Sequence, residues 1–168
     1  MLDRPLRLAL ALALLAAAPH GLAQTPSTHG HLSTTAAGAG HMAVPPDTRE
    51  AVAFPAMLRA HTLANMRDHL QTLAGIQQLL GAGQLDAAGD LAEQRLGMSS
   101  LPLHAAEEVA PYMPKGMQDA GTAMHRAASQ FAIVTRDASV SGDTKTVMAS
   151  LAQVTATCVS CHAKYRLK

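Results

Sequence analysis

The stretch Cys158-Val-Ser-Cys-His162-Ala-Lys-Tyr-Arg166-Leu-Lys168 decides how the rest of the chain reads. Cys-x-x-Cys-His is the attachment signal for a c-type haem. Two thiols three residues apart on a helix can each form a thioether to one porphyrin vinyl group, and the next imidazole is then placed to bind the iron. The chain has 2 cysteines, and chance would set such a pair three apart with a His next in roughly one case in a thousand. A zinc site would need two further Cys or His ligands at comparable spacing, and no second C-x-x-C or H-x3-H exists. A thioredoxin-like pair would follow a strand and open a helix, whereas this one closes a helical pattern. A plain disulfide leaves His162 unexplained. The expectation is one haem c per chain, covalent through Cys158 and Cys161, with His162 on the iron.

Upstream of the motif, Val147, Leu151, Val154, Cys158, Cys161 and Tyr165 recur at intervals of four and three, which predicts one helix whose inner seam runs into the motif. His162, four residues after Cys158, shares that face. The residues Ser139 to Asp143 read as a turn with Asp143 as N-cap. Before it, Met117, Ala120, Met124, Ala127, Phe131, Val134 and Ala138 predict a helix starting near Pro114. A connection punctuated by Pro102, Pro111 and Pro114, with a short helical turn over 105–109, precedes that. A helix over 85–96 carries Leu85, Ala88, Leu91, Ala92 and Leu96. The first helix runs from Pro55 to about Leu80, with the seam Leu63, Met66, Leu70, Leu73, Ile76 and Leu80. No strand is expected. Short turns imply antiparallel neighbours, so the predicted fold is all-α: an antiparallel up-down-up-down four-helix bundle with covalently attached haem. The end of the fourth helix then lies beside the first half of the first.

The chain of 168 residues suffices for one domain. Residues 1–23 read as a signal peptide: Arg4 and Arg7 lead into an apolar run from Leu8 to Ala18, and Gly21-Leu-Ala23 is a small-x-small cleavage site. The run is too short to span a bilayer, so the expectation is a periplasmic protein without stable membrane association after cleavage. Residues 24–50 are a Thr/Ser/Gly/Ala/Pro linker, and 51–168 the haem domain. Losing Asp3, Arg4 and Arg7 leaves 11 basic and 11 acidic residues of the original 13 and 12. A neutral chain excludes nucleic acid, which needs a basic stripe, but leaves room for small transient redox encounters. His29, His31 and His41 in the linker lack the rigid geometry of a metal site. Gly38-Ala-Gly40 and Gly81-Ala-Gly83 follow no strand and are not dinucleotide loops. With 2 Phe, 2 Tyr, 9 Met and no Trp, the helical core lacks large apolar bodies, and a porphyrin would supply one.

Over residues 51–168 the chain resembles the cytochrome c′ family, on the strength of Cys158-x-x-Cys161-His162-x-x-Tyr165-Arg166 in its last helix. Ordinary small cytochromes c carry the haem motif near the N-terminus instead. Asn65-Met66, with Leu73 and Ile76, is similar to the first helix of the bundle's b-type periplasmic relative, as is His162-Ala-Lys-Tyr-Arg166. The resemblance to the low-spin subgroup implies Met66 as sixth iron ligand. A soft thioether there favours ferrous iron and raises the potential, whereas a vacant position binds gases. Core packing is the plainer role for Met66, as for its competitors Met57, Met98, His104, Met113, Met117 and Met124. Arg166 is the candidate for a haem propionate, and Tyr165 for covering the haem edge. The family also allows a homodimer through the first helix.

Two functions follow as expectations. One is a mono-haem electron carrier working with redox partner proteins. The alternative is a five-coordinate cytochrome c′ binding nitric oxide or carbon monoxide. A peroxidase would need a distal acid–base group; the predicted first-helix seam offers none, with His61 and His69 expected on its solvent side, so the chain is not read as an enzyme. Replacing both Cys158 and Cys161 by Ser should abolish the haem-stained band on a denaturing gel. A band that survives the double substitution would contradict the covalent reading.

Overall fold

Pro55, at φ −53°, stands immediately before α1, Ala56–Gly81, where its missing N–H costs nothing because the first helical donors have no partner. Gly83 takes φ 72° in the turn that follows and sends the chain into α2, Leu85–Leu96. The computed structural model describes residues 45–168. The predicted signal peptide and most of the predicted linker lie outside the described residues.

After α2 come a 3-10 turn over Met98–His104, the single-turn helix α3, Ala106–Val109, and a second 3-10 turn over Ala110–Tyr112. Pro114 then precedes α4, Lys115–Ser141. Gly142 closes α4 at φ 78°, a conformation in which a Cβ would clash. Asp143 caps α5, Thr144–Lys164, by accepting a bond from the Thr146 N–H at 3.1 Å, as expected of an acidic N-cap. The described chain is mostly helical, with α1 packed on α2, α2 on α4 and α4 on α5.

Two features depart from expectation. Residues Glu50–Val52 form a strand, β1, paired in parallel with β2, Tyr165–Leu167, in the register Glu50 with Tyr165. Three residues are too few to show an alternating pattern, and the partner lies at the far end of the sequence. Asp47, Arg49 and Glu50, read as linker, are therefore tied to the residues that follow the Cys-x-x-Cys-His motif. The second departure is the inner face of α1. Leu70 is 67% exposed, while Thr62, His69, Thr72 and Ile76 are buried. The buried face of α1 is offset by roughly 70° from the face its leucines suggest, with Ile76 common to both.

The main core joins Ile76 of α1, Ala88, Ala92 and Leu96 of α2, Met124, Ala128, Phe131 and Ala138 of α4, and Val147, Leu151 and Val154 of α5. A second cluster, Val52, Phe54 and Val109, gathers Met113, Met117, Tyr165 and Leu167 around the strand pair. The α2–α4 contact is close because Gly89 has no side chain. A Cβ there would overlap Thr135 Oγ1 and lie 3.2 Å from Ala132 O. Gly89→Ala should lower stability by about 1–3 kcal/mol from overpacking, outweighing a helix-propensity gain of about 1 kcal/mol. A Thr135→Ala background should recover most of that loss. Thermal melts followed by circular dichroism check it; an equal loss in both backgrounds would contradict the contact.

Candidate functional site

The packing order leaves α1 and α5 with few close backbone approaches. Where Ile76 meets Val147, Leu151 and Val154 the gap is filled. Toward the start of α1 and the end of α5 it opens into a cavity of about 480 Å³, within the range of small-molecule and cofactor sites. Thr62, Leu63, Asn65, Met66 and His69 of α1 form one wall; Met117, Gly121, Met124 and His125 of α4 form another. Cys161 and His162 of α5, Tyr165 and Arg166 of β2, and Arg49 line its remaining side, with His104 and Val109 from the connection. A Cβ at Gly121 would meet nothing within 4 Å, so α4 leaves room there.

Met66, Cys161, His162 and Arg166 are thus brought to one cavity from segments far apart in sequence. Met66 and Cys161 are half-buried, and His162 lines the cavity while remaining exposed. Cys158 does not line it: it packs against the main core, its thiol donating to Val154 O at 3.5 Å. Burial pushes both thiols up from their ordinary value, and the neighbouring Cys158 adds to the effect at Cys161. Arg166 Nε lies 3.2 Å from Asp47 Oδ2, yet the contact is not aligned as a hydrogen bond. Its buried N–H therefore has no acceptor.

Two residues of this rim escaped the sequence reading. Arg49 grips Asp47 with both ends of its fork, Nε to Oδ1 at 2.9 Å and Nη2 to Oδ2 at 2.8 Å. Its remaining nitrogen, Nη1, donates to His162 O at 3.5 Å. Hydrogen bonds from Arg49 hold the Asp47 carboxyl down at about 2. Both sit in a Pro/Thr stretch without periodicity, so only the late pairing of β1 with β2 could have revealed them.

The deep wall holds a cluster that the helical pattern placed wrongly. His69 is 8% exposed, not on the solvent side, and His104 and His125 are 9% and 7% exposed. His61 is half-buried, with Nε2 enclosed and unpartnered. The Nε2 atoms of His69 and His104 are 3.2 Å apart, and the His104 ring stacks on that of His125 with centroids 5.2 Å apart. His125 Nδ1 donates to Leu96 O at 2.7 Å. Ala105, next to His104, takes φ 48°, a conformation costing about 1–2 kcal/mol for a residue with a Cβ. The α1 face thus does offer the cavity an imidazole, contrary to the expected solvent-side placement of His69.

Burial, followed by the charges of His104 and His125, pushes His69 down to about 4. Burial and then His125 push His104 down to about 4 as well. Both rings are neutral at pH 7. Among the described residues, no three His, Cys, Asp or Glu side chains converge as a metal site of that size would require. No described helix is long and apolar enough to cross a membrane. No family model, curated protein or solved structure matches the chain.

A histidine depressed from 6.5 to about 4 binds its proton more weakly folded than unfolded. Its contribution is complete above about pH 6.5 and is lost as pH falls toward 4, on the order of 3 kcal/mol for a shift of this size. Stability by urea unfolding in chelator-treated buffer should therefore fall between pH 6.5 and 4. The fall should be clearly shallower in His69→Gln, and an identical pH slope in the variant would contradict it.

Proposed function

We propose that the chain is an exported mono-haem c-type cytochrome of the cytochrome c′ kind, an electron carrier with Met66 and His162 as axial ligands. The observation that carries the reading is the cavity, whose walls bring together Met66 from α1 and Cys161-His162 from α5. An up-down-up-down four-helix bundle is the arrangement that best accommodates the short α1–α2 and α4–α5 turns and this serial packing.

The residues suit the group. Cys161 opens onto the cavity, and Cys158 lies one helical turn earlier on α5, so rotation of its side chain away from Val154 O is what the second thioether requires. The thiols are held protonated by burial, which keeps them from reacting before the attachment machinery acts. Arg166, with a buried Nε–H lacking an acceptor, is suited to a propionate. Asp47 and Arg49 steady that rim, and Arg49 also bonds the carbonyl of His162, limiting the motion of the imidazole. Val109, Met113 and Met117 give the cavity an apolar lining beside the strand pair. A haem bound here supplies one-electron Fe(II)/Fe(III) exchange. Ligands that stay in place in both oxidation states keep the geometry constant, the property a carrier needs.

Purified holoprotein should give a low-spin spectrum in both oxidation states, with slow or no carbon monoxide uptake when reduced. Met66→Ala should turn it high-spin and let carbon monoxide bind at once. A wild-type protein that is already high-spin and binds the gas immediately would favour the five-coordinate cytochrome c′ reading. Absence of haem from protein exported by cells with a working attachment system would overturn both.

A further inference from the structure

The buried His69–His104 pair is unused by the carrier function, and its two rings meet off the head-on line of a linear hydrogen bond. The Nε2 atoms are 3.2 Å apart, yet the ring centroids are separated by only 4.7 Å at an interplanar angle of 78°. A head-on N–H···N contact of this length would hold the ring centres about 5.5 Å apart. The ring axes are therefore inclined to the line joining the nitrogens. Two imidazoles sharing one ion at about 2.0–2.1 Å, with nitrogens this far apart, subtend about 103° at the ion and set their centres about 5.0 Å apart. The observed pair lies nearer to that arrangement.

The bonds made by the other ring nitrogens point the same way. Ser100 is fully buried, and its hydroxyl proton goes to Gly97 O at 2.7 Å. Its oxygen can then only accept, so His104 Nδ1, 3.5 Å away, carries the proton there and leaves Nε2 with a free lone pair. This is the outer-shell bond that fixes the tautomer of metal-binding histidines. The neighbouring His125 is set in the same tautomer by Leu96 O. It stacks on His104 and stands 6.5 Å from His69, centre to centre, so it supports the pair and does not join it.

We infer that His69 and His104 together bind one divalent first-row transition ion of the imidazole-preferring class, zinc(II) or copper(II), at the deep wall of the cavity. Water or the thioether of Met124, which lines the same cavity, completes the coordination. Imidazole suits these ions, with copper(II) the tighter of the two.

The test uses the full chain with His29, His31 and His41 replaced by Ala, so that the linker cannot contribute. After chelator treatment, equilibrium dialysis should leave one zinc per chain. Pulsed paramagnetic resonance of the copper(II) form should count two imidazole nitrogens. His69→Gln and His104→Gln should each weaken zinc at least tenfold, in line with losses seen when metal sites are disturbed, while His125→Gln should change it less than threefold. Zinc below a tenth of an equivalent, a copper signal without two imidazole nitrogens, or binding indifferent to both substitutions would each overturn the site. The copper measurement leaves the site unsubstituted, so it stands even if a variant misfolds. Metal is counted directly, so failure here is independent of the haem reading.

Discussion

The close approach of α2 and α4 governs what the rest of the molecule can do. Gly89 lets the backbone of α2 settle on Thr135 and Ala132, and alanines continue the contact along both helices. Small side chains permit this proximity but carry little volume with which to fill the space between the outer helices. Phe131 is the one fully buried aromatic among the described residues, and it is spent at the centre of the core. Toward the start of α1 and the end of α5 no comparable side chain is available, and a cavity results. In a structure that is otherwise close-packed, this opening, lined by methionines and histidines, is of the size of small-molecule and cofactor sites.

The charged and imidazole groups of the cavity gather at its two ends. At the rim, Asp47 is held ionised between Arg49 and Arg166, leaving the trio with one net positive charge. At the floor, His69 and His104 are kept neutral by burial. Between them lie thioethers and aliphatic groups. A flat, largely apolar ligand with anionic substituents at one edge matches this distribution of charge, and a ligand charged throughout does not.

Most of the helical architecture was legible because helix boundaries are written in local chemistry. Pro55, Pro114 and Asp143 each mark a helix start where the sequence put it, and the bounds of α2 coincide with the periodic run from Leu85 to Leu96. The face of α1 was not legible. Its leucines define one stripe, but the cavity and the 98–104 turn take the adjacent one, so that Thr62 and His69 are buried and Leu70 is left outside. Tertiary contact here overrides a weak periodic signal: His69 finds a partner in His104, while the buried Thr62 hydroxyl has none. Of the motif, Cys161 and His162 line the cavity while Cys158, expected on the same face, packs against the core, and Arg49 and Asp47 depend on a strand pairing between distant segments that no local pattern encodes.

That strand pairing also has a consequence in time. Arg49 and His162 are 113 residues apart, and parallel pairing of β1 with β2 closes a loop containing every helix of the described chain. Contacts of such long sequence separation form late, after local helices and their hairpins have collapsed. The helices and their turns can therefore be in place before the two ends of the described chain meet, so closing the rim of the cavity is a step separable from building its walls.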